Sequence, residues 1–238
     1  MQANPNPLIF NSNGVQQDSK QVSDYLLCRD CEQRLNQNGE DWFLKFCWRK
    51  DQFALATTLE TARHHKILHS QVKVYHAAEI PQVNMTALTY FAASMYWRAS
   101  VHQWQIAGAK SQPIQLGPYQ ELLRKFLMRK AQFPSNCILL VFVPENKTAV
   151  TGVSLTPYGG RIDSHHAYNL VVLGVGFRLL VGKQISSKLR SMCFVTGVGN
   201  PILRTDNLEG AIKTWIAGFR SDVRDLMAQE ADRAIDQP

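Results

Sequence analysis

Two cysteines with two residues between them, Cys28 and Cys31, are the residues of this sequence most specific to one kind of chemistry. A C-x-x-C turn directs both sulfurs toward one point. Because a structural zinc ion takes four ligands in a tetrahedron, such a turn predicts half of a zinc site. A second C-x-x-C or a His pair at the usual spacing does not follow in the sequence. The candidates to complete the site are Cys47, His64, His65 and His69.

The same spacing has two other interpretations. In a thiol oxidoreductase the C-x-x-C motif follows a strand and opens a helix within a βαβ unit. Here only a short apolar run at 25–27 and a helix-forming segment at 32–35 flank the motif, so we do not favour a redox role. Two free thiols near the surface remain the other alternative. Five cysteines, an odd number with one close pair, are typical of a reduced compartment, and we expect a cytoplasmic protein.

The segments around the motif predict helices. A first helix begins directly after the second thiol and ends near the Asn-Gly pair at 38–39, and a second short helix covers about 40–48. The apolar, His-rich segment 53–76 is also interpreted as helical. A helix there would place His65 and His69, four residues apart, on one face.

Two amphipathic helices follow. Asn84 is a favourable N-cap for a helix whose apolar residues recur at spacings of three and four. Gly117 and Pro118 restart the chain, and Pro118 suits the first position of a helix with another apolar face. The apolar faces consist of Leu88, Phe91, Ala92, Met95 and Ala99 in the first helix and of Tyr119, Leu122, Leu123, Phe126 and Leu127 in the second.

From residue 136 the sequence favours strands. Short segments rich in β-branched and aromatic residues alternate with Pro, Gly, Asn and Asp, which predicts an antiparallel sheet. A long amphipathic helix is predicted at 207–231. Helices, then strands, then a helix predict an α+β fold rather than an alternating α/β fold. The predicted strands are 137–143, 149–155, 168–175, 177–181 and 192–195.

Basic residues are concentrated in the middle of the chain. The formal net charge is +7, and residues 61–200 carry 15 Lys and Arg against four Asp and Glu. A surface of this kind attracts phosphate backbones, although a solvated basic surface without a polyanion partner is the alternative. The candidate nucleic-acid contacts, mostly opposite the apolar face of the second amphipathic helix, are Arg124, Lys125, Arg129 and Lys130.

The residues around the cysteine motif resemble those of a known group of proteins. The run LLCRDCEQRL at 26–35, followed by GEDW at 39–42, resembles poorly characterised bacterial proteins related to HNH endonucleases, the treble-clef zinc nucleases. The segments MYWRAS at 95–100 and LGPYQE at 116–121 are similar to the middle region of those proteins. The resemblance implies a zinc-knuckle-like segment around the two cysteines.

The resemblance also implies a division into domains and a function. We expect a treble-clef-like remnant at 1–52 and an α+β domain at 53–238. In that group an upstream C-x-x-C and a Ser-His element supply the other zinc ligands and the histidine that activates water, and neither occurs before Cys28. We therefore expect a zinc-associated nucleic-acid-binding protein of HNH-like descent, truncated or catalytically inactive; an active form would be an HNH-type metal-dependent nuclease. Within the α+β domain, helices are expected at 53–133, strands at 136–200 and the C-terminal helix at 207–231.

A function of a different class remains open. The α+β domain would then be a protein-interaction or assembly module that pairs through its sheet or its C-terminal helix, and the cysteines would be vestigial. We expect no membrane partner, because the sequence has no apolar run of the roughly 20 residues that cross a bilayer.

Overall fold

A nine-stranded sheet forms the centre of the structure. The computed structural model describes residues 8–11, 14–17, 26–49, 52–68, 72–103, 105–106, 109–110, 113–145, 153–162, 165–183 and 185–205. The strands of the sheet are β1 (Leu8–Asn11), β2 (Gly14–Gln17), β5 (Lys66–Leu68), β6 (Val72–His76), β9 (Cys137–Val143), β10 (Val153–Ile162), β11 (His165–Val172), β12 (Val175–Val181) and β13 (Pro201–Thr205). Two further pairs are β3 (Trp48–Arg49) with β4 (Gln52–Phe53) and β7 (Gln105–Ile106) with β8 (Ala109–Lys110).

The sheet is mixed but mostly antiparallel. Its strand order is β2-β1-β10-β11-β12-β9-β13-β6-β5, and only β1 with β10 and β9 with β13 are parallel neighbours. Strand β9 has the predicted bounds, and β11 and β12 overlap the segments predicted at 168–175 and 177–181. The predicted α+β class is confirmed.

Helices connect the strands and pack against the sheet. The helices are α1 (Arg29–Leu35), α2 (Asp41–Phe46), α3 (Ala54–Thr61), α4 (Met85–Val101), α5 (Tyr119–Leu127) and α6 (Ser187–Ser191). A π-helical segment, Asn36–Glu40, joins α1 directly to α2, and a short 3-10 segment, Ala77–Glu79, follows β6. In the described part of the chain, none of these helices has the length and apolar character needed to span a bilayer.

Helix α4 is the centre of the core. The Asn84 side chain accepts a hydrogen bond from the backbone N–H of Ala87 at 2.9 Å, which confirms the predicted N-cap. At the sheet, the fully buried Tyr96 donates its hydroxyl proton to the backbone carbonyl of Tyr168 on β11 at 3.1 Å. Phe91 stacks on Phe43 of α2, with 3.8 Å between the ring centroids. The helix therefore packs against both the sheet and the α1–α2 segment.

The π-helical segment lies against the backbone of α4. A Cβ atom on Gly39 would approach the backbone nitrogen of Phe91 to 2.8 Å, so the close contact requires a glycine. The Asn-Gly pair was expected to end the first helix, but the chain instead continues as a wider helical turn into α2. Glu40 at the end of this turn pairs with Arg98 of α4, which holds the two segments together.

The His-rich segment differs from its prediction. Helix α3 ends at Thr61, and residues 66–68 and 72–76 form strands at one edge of the sheet. The reason is tertiary: β6 pairs along its whole length with β13, more than 120 positions later in the chain, and buries Val74 and Tyr75. The expected helix face shared by His65 and His69 therefore does not form.

Two other sequence expectations have different outcomes. Residues 192–195 form turns rather than a strand, because the N–H groups of Met192 and Cys193 donate to the nearby carbonyls of Leu189 and Arg190, at 3.1 Å each. The buried Phe194 contacts the sheet through one backbone hydrogen bond to Leu139 of β9, at 2.7 Å. The helix expected at 207–231 lies outside the described residues.

Candidate functional site

The two cysteines lie at the start of α1. Cys28 is exposed and precedes the helix, where its carbonyl accepts the first helical hydrogen bond from the N–H of Glu32 at 3.0 Å; Cys31 is half-buried in the first turn. The backbone N–H and then the thiol of Cys31 donate to the Cys28 sulfur and lower the pKa of Cys28. The same thiol bond raises the pKa of Cys31. The sulfurs therefore converge, and Cys28 is the one that ionises first.

The spacing of this pair predicts one half of a tetrahedral zinc site. Among the residues that the structure describes, no other His, Cys, Asp or Glu comes close enough to both sulfurs to complete a set of three ligands. The two cysteines lie at the start of α1, and the described part of the chain shows no zinc knuckle around them. Of the candidates for completion, Cys47 is buried and directs its thiol to the Leu44 carbonyl at 3.6 Å. His64 faces Tyr75, His65 belongs to another group, and His69 lies outside the described residues.

A polar cleft opens beside the cysteine turn. It lies between α1, the π-helical segment and the chain that leaves α5, and its volume is about 360 Å³. We call it the α1/α5 cleft, and its lining residues are Asp30, Gln33, Arg34, Gln37, Asn38 and Arg129. Cys31 and Arg34 are three residues apart on α1, so the cysteine turn and the cleft share one face of that helix.

Arg129 enters the cleft through an unusual backbone conformation. Helix α5 ends at Leu127, and Arg129 follows with a φ of +56°. The N–H of Arg129 bonds to the carbonyl of Phe126 at 2.8 Å, and the N–H of Lys130 bonds to the carbonyl of Lys125 at 2.9 Å. This pattern is a Schellman motif, in which the left-handed position favours glycine. An arginine there costs on the order of 1 kcal/mol.

The frame of the cleft is fixed on several sides. The Arg129 guanidinium donates to the Asn38 amide oxygen, and Arg34 donates to the sulfur of Met128 at 3.1 Å. The buried hydroxyl of Tyr90 on α4 donates to the carbonyl of Leu127 at 2.5 Å. These contacts place two guanidinium groups on a rigid frame beside the cysteine turn.

The other predicted basic residues have different surroundings. Arg124 is exposed and forms two hydrogen bonds with the Glu121 carboxylate, at 2.6 and 2.9 Å, which lower the pKa of Glu121. Lys125 is exposed on the same helix. Lys130, like Arg129, lies beyond the end of α5, so these two residues do not form the predicted basic helix face. Only Arg129 of the four lines the cleft.

A second group of polar residues was not anticipated from the sequence. His65, His76 and Glu79 meet at the β5 edge of the sheet, with 2.9 Å between His65 Nε2 and one Glu79 oxygen and 3.3 Å between His76 Nδ1 and the other. Hydrogen bonds from His65 and then His76 lower the pKa of Glu79. The pairing of β5 with β6 brings these residues together. The helix predicted over 53–76 does not predict this group.

Arg34 was also missed, because no feature of the sequence pairs it with residue 129. No family model matches the chain, and no curated protein and no solved structure matches it.

Proposed function

We propose that this chain is a zinc-associated nucleic-acid-binding protein of HNH-like descent, in which the α1/α5 cleft contacts phosphates. The observation that carries the proposal is the meeting of Arg34 and Arg129 in one cleft beside the cysteine turn. Two elements that the sequence suggests separately, the C-x-x-C turn and the basic segment after α5, thus contribute to one surface.

The composition of the cleft supports phosphate binding. Two guanidinium groups face a single carboxylate, that of Asp30, and the remaining lining side chains are amides. A guanidinium can bind a phosphate through two parallel hydrogen bonds, and it retains free N–H groups after one bond to a protein acceptor. Amide side chains commonly bind phosphate and sugar oxygens without reading sequence. We therefore expect a non-specific contact with the nucleic-acid backbone.

The strained conformation of Arg129 also supports a functional role. A left-handed residue that is not glycine persists where the surrounding structure or the function requires its side chain. Glycine would satisfy the Schellman motif at lower cost but would remove the guanidinium from the cleft. The strain at Arg129 is therefore consistent with a side chain retained for binding.

Zinc would have a structural role in this proposal. Cys28 and Cys31 would hold it with two ligands from outside the described residues, and the metal would fix the first turn of α1 and so the position of Arg34. By elemental analysis we expect the unaltered chain to hold about one zinc more than a Cys28→Ser/Cys31→Ser variant. Equal zinc contents in the two chains would contradict the zinc part of the proposal and leave the phosphate contact to be judged separately.

The predicted basic residues give the first binding test. Charge reversal at all four of Arg124, Lys125, Arg129 and Lys130 should weaken binding to duplex DNA. It should also reduce the salt dependence of binding, by about one unit of slope for each phosphate that the variant no longer neutralises. Because Glu121 already holds Arg124, reversal of Arg124 alone should have the smallest effect. Unchanged binding in the fourfold variant would exclude this segment from the DNA-binding surface.

One observation favours the assembly module as a second candidate. The Ile67 side chain is 52% exposed on β5, which pairs only with β6 in the described part of the chain. An exposed edge strand with an apolar side chain can pair with a second copy. Light scattering tests this candidate: a dimer that an Ile67→Lys substitution dissociates, with no affinity for nucleic acid, would favour assembly over the proposed function.

A further inference from the structure

We propose that His65, His76 and Glu79 bind a divalent transition-metal ion at the β5 edge of the sheet, independently of the two cysteines. This site takes no ligand from α1 and has no sulfur donor. It therefore does not depend on the function proposed above, and it differs from the cysteine site in the chemistry of its ligands.

The distances between the three side chains suit a single ion. The two Glu79 oxygens lie 2.9 Å from His65 Nε2 and 3.3 Å from His76 Nδ1. One ligand atom from each of the three residues lies within 4.8 Å of the others. Ligands bound to zinc at about 2.0–2.2 Å in a tetrahedron are separated by about 3.3 Å, which is close to both of these distances between Glu79 and the imidazoles.

Backbone hydrogen bonds fix the positions from which the ligands project. The N–H of His65 donates to the carbonyl of Val74 at 2.8 Å, and this bond holds the His65 backbone beside β6. The 3-10 segment that carries Glu79 is tied to the turn before β13, because the N–H of Ala78 donates to the carbonyl of Gly199 at 3.2 Å. The three ligands therefore come from different segments that the sheet holds together.

Gly199 provides the space for the His76 ring. Its φ is +72°, and a Cβ atom there would overlap the ring carbon Cγ of His76. Only glycine is compatible with both the left-handed backbone and this contact. The His76 ring is thus supported on one side, and its side chain is 18% exposed.

The present arrangement of the rings shows what must move on binding. The imidazoles of His65 and His76 are stacked, with 3.4 Å between centroids and 13° between planes. The lone pair of an imidazole nitrogen lies in the plane of its ring, so the lone pairs of two stacked rings do not converge on one point. One ring must therefore turn before both nitrogens can bind the same ion. The more exposed His65, at 36%, can turn about its terminal torsion, whose preferences are broad. Metal binding would replace ring stacking with coordination.

The donor set indicates the class of metal. Two imidazole nitrogens and a carboxylate are ligands for Zn²⁺, Co²⁺, Ni²⁺ or Fe²⁺, rather than for hard cations that prefer oxygen alone. Three protein ligands leave at least one position for water, as in metal sites that are open to exogenous ligands. No fourth His, Cys, Asp or Glu joins the group within the residues that the structure describes.

The test uses the full chain with Cys28→Ser and Cys31→Ser, so that the paired thiols cannot contribute. Titration with Zn²⁺ followed by calorimetry should show one site. Adding His65→Gln or Glu79→Gln should lower the affinity at least tenfold. His64→Gln is the matched control, because the ring of His64 is exposed beside His65 but faces Tyr75, and it should leave the affinity unchanged.

Two results would overturn this inference: absence of Zn²⁺ binding in the Cys28→Ser/Cys31→Ser chain, or equal affinities after His64→Gln, His65→Gln and Glu79→Gln. The Glu79 side chain is 62% exposed, so its substitution should not disturb folding, and thermal unfolding of each variant without metal checks this. Because the paired thiols are absent throughout, the outcome does not depend on the cysteine site or on nucleic-acid binding.

Discussion

The guanidinium of Arg129 donates a hydrogen bond to the amide oxygen of Asn38, joining segments 91 positions apart in the chain. Asn38 belongs to the π-helical segment that follows the cysteine-bearing helix, and Arg129 closes α5. The hydrogen bond therefore links the C-x-x-C region to the basic segment. It defines one wall of the α1/α5 cleft and is the basis for assigning both elements to one surface.

Substitution of Arg129 should separate folding stability from binding. Arg129→Gly and Arg129→Ala both remove the guanidinium, so both should weaken DNA binding equally. Glycine accepts the left-handed conformation, whereas alanine does not, so the glycine variant should be more stable than the alanine variant by about 1 kcal/mol. Urea unfolding measures this difference. Equal stabilities would show that residue 129 is not left-handed in solution, and intact DNA binding in both variants would remove Arg129 from the DNA-binding surface.

The thiols should differ widely in reactivity. Hydrogen bonds from Cys31 lower the pKa of the exposed Cys28, so Cys28 carries more thiolate at neutral pH than an ordinary cysteine. Burial raises the pKa of Cys137 to about 12, which leaves its thiol protonated and inaccessible. In metal-free protein, iodoacetamide at pH 7.5 should modify Cys28 first and Cys137 only after unfolding, as read by mass spectrometry of the peptides. Comparable rates for the two thiols in the folded chain would contradict these environments.

Gly39→Ala should destabilise the protein by about 1–3 kcal/mol, because the added methyl would meet the backbone of Phe91 at 2.8 Å. In an ordinary helix the same change stabilises by about 0.5–1 kcal/mol, so the sign of the effect tests the close approach. The midpoint of urea unfolding gives the sign directly. A stabilised variant would mean that the π-helical segment and α4 are farther apart than this structure places them.

Gly199→Ala should lower the affinity of the His65, His76 and Glu79 group for Zn²⁺, because the methyl would displace the His76 ring. Gly117→Ala is the matched control. Gly117 also has a left-handed backbone, with a φ of +55°, but a Cβ atom there would meet no atom within 4 Å. Both variants should lose about 1 kcal/mol of stability from backbone strain, and only Gly199→Ala should lose Zn²⁺ affinity. Equal Zn²⁺ affinities in the two variants would show that Gly199 does not position His76.

Local signals in the sequence predict part of this fold. Asn84 caps α4 as expected. Strand β9 has the predicted bounds, because its apolar run, rich in β-branched residues, favours a strand and the flanking Asn and Pro mark its two ends. The helix predicted over 53–76 is wrong at β5 and β6, because the strand that pairs with β6 along its length, β13, lies far away in the chain. The periodicity of apolar residues within a short window carries no information about a strand partner so far away in the chain.

The candidate site shows the same limit. The spacing of Cys28 and Cys31 identifies the turn, but the cleft beside it depends on a π-helical segment and on a left-handed arginine. Neither feature has a sequence signature, since Asn-Gly ordinarily ends a helix and glycine ordinarily occupies the position of Arg129. The group around Glu79 likewise exists only because β5 and β6 are adjacent in the sheet.

The most direct test of the proposed function is the salt dependence of DNA binding, measured by fluorescence anisotropy with a labelled duplex and the full chain. The variant is Arg34→Gln/Arg129→Gln, which removes both guanidiniums from the cleft. The control is Arg63→Gln/Lys188→Gln, which removes the same charge from exposed residues outside the cleft. We predict that the unaltered chain and the control bind alike, and that the cleft variant binds more weakly, with a slope of log affinity against log salt reduced by about two. Equal affinities and slopes for the cleft variant and the control, or no binding by the unaltered chain at low salt, would contradict the proposal.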